Sequence, residues 1–162
     1  MSEAKRQGTS VIILTFLFAL LLSVIPLPSW LVFVRPEWVP LVLIYWCLAL
    51  PTRVNVGVGW SVGLVVDVLE GNLLGQHALA YAVIAFVTVK LHKQIRVYPL
   101  WQQALSILVL IALCQLLLAW VRGIIGQAPD SWAYWVSSFI SAILWPWVFL
   151  LLRDIRRKFR VS

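Results

Sequence analysis

Charge is scarce in this chain, and acidic charge scarcest: 12% of its 162 residues are Asp, Glu, Lys or Arg, and only six are acids. Soluble domains carry about twice that share of charge. Against the deficit stand 62% hydrophobic residues and a mean hydropathy of +0.95. A water-facing domain of this size cannot cover so much apolar side chain, which leaves lipid as the solvent for most of the chain. Cysteine is nearly absent too. Cys47 and Cys114 lie inside apolar runs, with no CxxC partner and no His at metal-ligand spacing. They read as small buried hydrophobes and say nothing of redox compartment. Catalytic signatures are missing: there is no GxSxG, HExxH or P-loop, and no paired acids at a plausible depth. His77 and His92 stand apart from each other and from any cysteine, so packing or interfacial placement suits them better than a ligand role. Gly57-x-Gly59-xxx-Gly63 has the wrong spacing for a dinucleotide loop and falls inside an apolar run. No enzyme, metal or cofactor is implied.

What is present is a set of long apolar runs separated by charge. The net charge of +7 raises the question of a nucleic-acid partner. The basic residues sit at the edges of the runs, however, with no aromatic-interleaved groove, which is the pattern of membrane orientation. Lys5, Arg6 and the run from Val11 to Ile25 resemble a signal peptide, but no small-x-small site follows, so an uncleaved first span is expected. A crossing helix needs roughly 20 apolar residues. The expected fold is an all-α integral membrane protein of about six spans, near 10–28, 38–51, 54–70, 74–92, 101–123 and 132–152, forming one transmembrane domain. A basic tail follows at 153–162. The second and third runs are short. Pro51-Thr52-Arg53 separates them, and a re-entrant hairpin from outside is the alternative that keeps every other span's parity.

With both termini inside, 11 of the 13 basic residues fall on cytoplasmic segments. The outer loops hold Arg35 and Arg122 with four of the six acids, Glu37, Asp67, Glu70 and Asp130. Lys and Arg resist translocation, so the asymmetry predicts N-in and C-in. Tryptophan agrees: Trp30, Trp38, Trp120, Trp132 and Trp135 fall near the outer boundary, and Trp101, Trp145 and Trp147 near the inner one. Trp46 and Trp60 fall deeper and read as packing residues.

Gly59, Gly63, Asp67, Gly71 and Gly75 recur every four residues. Gly59 and Gly63 form a GxxxG face that admits a close neighbouring backbone, inside the protein or in a partner. Gly71 and Gly75 suit a turn. Thr15, Ala19 and Ser23 form a second small-residue face. Asp67, near the outer end of its span, is the most informative ionisable group, and Arg35 on the same side is its expected ion-pair partner, with Glu70 as the alternative acid. In the tail, Leu152, Ile155 and Phe159 make an apolar stripe beside Arg153, Arg156, Arg157 and Arg160. That stripe predicts an amphipathic extension at the inner surface, either a topological anchor or a docking site for a cytoplasmic partner.

Three stretches carry a family resemblance: Arg35-Pro36-Glu37-Trp38 running to Pro51; Arg53-Val54-Asn55-Val56-Gly57 running through Gly63 and Asp67 to Gly71 and Gly75; and Leu100-Trp101-Gln102-Gln103-Ala104. The end reads Leu144-Trp145-Pro146-Trp147 before the basic tail. Over essentially the whole length the chain resembles the MreD family of the bacterial wall-elongation machinery. The resemblance implies a non-catalytic scaffold in the inner membrane, acting with MreC, MreB, the glycosyltransferase RodA and a class B penicillin-binding transpeptidase. It also implies a fold similar to the S components of energy-coupling-factor transporters. The matched residues Arg35, Pro36, Trp38, Arg53, Asn55, Gly59, Gly63, Asp67, Gly71 and Gly75 would shape a partner surface or central cavity. The competing reading is a small-molecule or lipid-precursor binding or transport subunit, with Asn55, Asn72, Gln76, His77 and Gln115 lining its pocket.

Overall fold

A computed structural model describes residues 2–31, 34–71, 73–127 and 132–161. The expected features at Asn72 and Asp130, and the Lys5 side chain, lie outside the described residues. The described chain is helical: α1 (Ser2–Val24), α2 (Trp38–Ala49), α3 (Val56–Glu70), α4 (Gln76–Val97), α5 (Leu100–Ile124) and α6 (Val136–Lys158), with a 3-10 turn at Trp132–Trp135 before α6. Four of them, all but α2 and α3, are long and apolar enough to cross a membrane. The chain is a multi-pass helical membrane protein. Helices are the form in which such runs satisfy every backbone N–H and C=O internally.

Prolines set several boundaries. The first helix ends at Val24, short of the expected 28, because Pro26 disfavours helical backbone at Ile25. Pro40 is tolerated in α2 because it falls in the first turn, where N–H groups lack intrahelical partners. Tyr98 is extended (φ −70°, ψ 145°) ahead of Pro99, which separates α4 from α5. At the other extreme, α6 runs through Pro146 to Lys158, so the basic tail continues the last helix.

The short helices are placed to suit their length. At 1.5 Å per residue, the 12 residues of α2 span about 18 Å and the 15 of α3 about 22 Å, against a hydrocarbon core of about 30 Å. α2 is buried continuously from Val39 to Leu48, a helix apolar all round at the centre of the bundle. It packs on α1, α4 and α6, so protein rather than lipid surrounds it. α3 lies outside and buries one face, Gly59, Gly63, Val66 and Asp67.

Successive helices run between the same two ends. One end gathers Arg53, bonded to Thr9 Oγ1 at 2.5 Å, and Arg96, bonded to the carbonyls of Leu48 and Ala49; it is called the basic end below. The other, the acidic end, gathers Glu37, Asp67 and Glu70. Because lipid is as apolar as leucine, burial alone does not bind these helices, and polar contacts fix their register. Trp46 Nε1 donates to Thr15 Oγ1 at 2.9 Å, which turns the Thr15–Ala19 face inward. The Glu37 N–H donates to Ser141 Oγ at 2.9 Å, tying the start of α2 to α6. Gln115 on α5 donates to Ser137 Oγ at 2.8 Å and accepts from Ser138 Oγ. Two tryptophans depart from expectation. Trp60 is 52% exposed on the outer face of α3, whereas Trp145 is fully buried and donates to Gln103 Oε1 at 3.3 Å.

Candidate functional site

The site is built on the α3–α4 hairpin. Asn55 caps α3, its Oδ1 accepting the Gly57 N–H at 3.2 Å. The two helices then approach until glycine alone fits. A Cβ at Gly63 would lie 2.4 Å from Ala78 Cα, and one at Gly59 would lie 2.8 Å from the Tyr81 carbonyl oxygen. The GxxxG face is therefore an internal seam. The turn closes through Gly71 (φ 68°) and Gly75 (φ 99°), both left-handed.

This turn folds the start of α4 over Asp67. The carboxylate, 1% exposed, accepts from the N–H of Gly75 at 2.9 Å, of His77 at 2.9 Å and of Ala78 at 3.4 Å. It also meets His77 Nδ1 at 2.8 Å. The first N–H groups of a helix have no intrahelical partner, and its dipole favours an anion there. Asp67 thus caps α4 from the neighbouring helix. The expected Asp67–Arg35 ion pair is corrected: the carboxylate belongs to α4 and His77. A carboxylate only accepts, so Nδ1 donates to it. Nε2 then faces Glu70 Oε2 at 3.8 Å. His77 is accordingly more than a plain packing residue, since it bonds Asp67 and lines a cavity at the acidic end.

His77 presents this pair to a cavity of about 260 Å³ at the acidic end. Ser23, Arg35, Glu37, Glu70, Arg122, Tyr81 and Tyr134 complete its polar lining. Arg122 lies over the Tyr134 ring, 5.9 Å from its centre. Arg35 donates through Nη2 to the Ile25 carbonyl, holding the loop after α1, while its Nε is buried without a partner among the described residues. Burial pushes the Glu37 carboxyl above its ordinary range; the charge of His77 opposes this and that of Glu70 adds to it. The arrangement can hold and orient a small zwitterion or exchange a proton. Among the described residues no group of three or more His, Cys, Asp or Glu could hold a metal ion.

Of the residues expected from the sequence, Arg35 and Pro36 line this cavity, and Asp67, Gly71 and Gly75 build the wall that carries His77. Trp38 lines a separate apolar groove between α1 and α6. Arg53 and Asn55 belong to the opposite end of α3 and do not join them. Arg153 and Arg156 line a second cavity at the basic end, while Arg157 and Arg160 are exposed. The polar groups of the competing reading scatter likewise. Asn55 caps α3, Gln115 joins α5 to α6, and among Asn55, Gln76, His77 and Gln115 only His77 lines the cavity. Sequence reading missed Tyr81, Arg122 and Tyr134 as lining residues. The available signal was a histidine ten positions beyond an acid, across a turn bracketed by two glycines.

The family described as rod shape-determining protein MreD matches residues 4–155. The chain belongs to the MreD family. A Haemophilus influenzae protein named Rod shape-determining protein MreD is 36% identical over 146 residues, covering 90% of each chain. No solved structure matches. Membership of the MreD family gives the chain a role in determining rod shape. The cavity and the Asp67–His77 pair are thus features of a shape-determining membrane protein.

Proposed function

We propose that the chain is a non-catalytic scaffold of the cell-wall elongation complex in the bacterial inner membrane. In this reading it supports MreC and links the cytoplasmic MreB filament to RodA and a class B penicillin-binding transpeptidase. The observation that carries the proposal is MreD family membership over residues 4–155. Two physical features support it. The polar contacts of Asp67, Gln115 and Trp46 join one helix to the next. The outer faces of the long helices stay apolar, and α1, α2 and α6 leave a groove of about 380 Å³ open toward lipid, the kind of surface a membrane-spanning partner uses. The basic end would be cytoplasmic, with both termini inside, because positive residues resist translocation. The body would be one transmembrane domain, and residues 153–162 a basic surface tail. Arg35, Pro36 and Trp38 at one end, and Arg53, Asn55 and the tail arginines at the other, would shape partner surfaces. The glycines hold the hairpin between them.

Controlled depletion in a rod-shaped host, with cell width followed by microscopy, tests this. Rounding reversed by re-expression is the expected result; rods of normal width after full depletion would end it. The cavity at the acidic end supports a second reading, a small-molecule or lipid-precursor binding subunit similar in fold to the transporter S components. Its Arg35, Arg122, Glu37 and Glu70 offer both signs of charge to a ligand. A small molecule retained through purification, and lost in Arg122→Gln, would favour it.

A further inference from the structure

At the basic end, α2 stops at Ala49 beneath Arg96 of α4, whose Nε donates to the Leu48 carbonyl at 2.6 Å and whose Nη2 donates to the Ala49 carbonyl at 2.6 Å. A cation there satisfies carbonyls that the helix leaves open. A guanidinium carries five N–H donors, so these bonds leave donors over. Beside it, α6 brings Arg153 and Arg156, three residues apart and hence on one helix face. The three arginines line a cavity of about 320 Å³ with Tyr45, Gln103 and Phe149. Its lining contains no acid; Asp154, next on α6, is exposed and lies outside it. The Arg153 Nε is buried without a partner among the described residues. Three like charges thus converge on a space whose lining, among the described residues, holds no acid, and desolvated guanidinium donors favour a multivalent oxyanion.

Tyr45 of α2 and Phe149 of α6 add aromatic rings to the lining. Tyr45 packs on Phe149 at 5.7 Å and on Trp145 at 6.5 Å between ring centres. Tyr45 shares the lining with Arg153 and Arg156. The exposed indoles of Trp101 and Trp147 mark headgroup depth at the same end of the bundle. A soluble anion would use the arginines and leave the aromatic rings unused. A phospholipid uses both.

We infer that this cavity binds the phosphate of an anionic phospholipid from the adjacent leaflet, its acyl chains running along the apolar face of α6. Arg153 and Arg156 hold the phosphate, and Arg96 couples its occupancy to the end of α2. The inference holds whether or not the scaffold reading does, because it needs only the membrane-embedded bundle.

Native mass spectrometry of the full chain in detergent tests it, with phosphatidylglycerol, phosphatidylethanolamine and phosphatidylcholine added in turn. Phosphatidylglycerol is expected to be retained preferentially, and Arg153→Gln with Arg156→Gln to weaken retention by about fivefold for each arginine removed. Arg157→Gln with Arg160→Gln removes the same charge outside the cavity and is expected to retain the lipid. Equal losses in the two double variants would overturn the site in favour of diffuse surface charge. Displacement of the lipid by millimolar glycerol phosphate or inorganic phosphate would overturn the lipid as ligand. Should the cavity variant fail to fold, the unaltered protein still decides, since equal retention of the three lipids would overturn the proposal.

Discussion

Removing the Asp67 carboxylate leaves three N–H groups at the start of α4 and the His77 ring without their acceptor in a buried site. Asp67→Ala is therefore expected to cost about 3–5 kcal/mol, and Asp67→Asn, which keeps one acceptor oxygen, about 1–3 kcal/mol. Thermal unfolding in detergent measures both. A cycle of Asp67→Asn with His77→Gln should be non-additive, whereas Asp67→Asn with Arg35→Gln should add. Additivity of the first pair would remove the proposed coupling. The cavity makes a second prediction, through Glu37. Its pKa is raised by burial from the ordinary 4.5, so the folded chain binds that proton more tightly than the unfolded one, and stability falls as pH rises above about 4.5. Glu37→Gln should raise the melting temperature at neutral pH, with the gain vanishing below 4.5; a gain constant across that range would assign the effect to packing. At this scale the sequence singled out the right acid and the wrong partner. Depth and side suggested Arg35, but the partner is set by the closing of a turn, which brings Gly75, His77 and Ala78 over Asp67.

At the scale of the helix pair, glycine spacing decides how close α3 and α4 come. Gly63→Ala would press a methyl to 2.4 Å from backbone that cannot rotate away, and overpacking of that kind costs about 1–3 kcal/mol. Gly57→Ala meets nothing closer than Asn55 Oδ1 at 3.5 Å and should shift stability by less than about 0.5 kcal/mol. Melting temperatures of the two variants compare one kind of substitution, two turns apart, on the seam and off it. Equal effects would mean that the seam does not hold the hairpin. This seam was legible because GxxxG and two turn glycines are local signals. The setting of α2 was not. An apolar run of 12 residues reads the same facing lipid or facing protein, and its burial depends on α1, α4 and α6 closing around it. Trp60 and Trp145 were misjudged for the same reason: depth along a span is written in the sequence, but which side of the helix meets a neighbour depends on packing.

Taken as a whole, the molecule sorts its charge by end, and the tip between α2 and α3 tests what that sorting means. Thr52 is exposed at this tip, and its neighbour Arg53 bonds to Thr9 near the start of α1. The tip therefore shares the end where α1 begins and α6 finishes. If positive residues set orientation, that end is cytoplasmic, and a re-entrant hairpin from outside would place the tip elsewhere. Cys47 and Cys114 are buried, so native thiols give little background, and Cys47→Ser with Cys114→Ser can remove it. In intact cells with a permeabilised outer membrane, Thr52→Cys should react with a membrane-permeant maleimide and resist an impermeant one. Gln127→Cys, exposed beyond the far end of α5, should react with both. Labelling of Thr52→Cys by the impermeant reagent would return α2 and α3 to a hairpin dipping from outside. Protection of Gln127→Cys together with labelling of Thr52→Cys would instead invert the whole bundle, placing the arginine cavity in the outer leaflet and Glu37, Glu70 and His77 toward the cytoplasm.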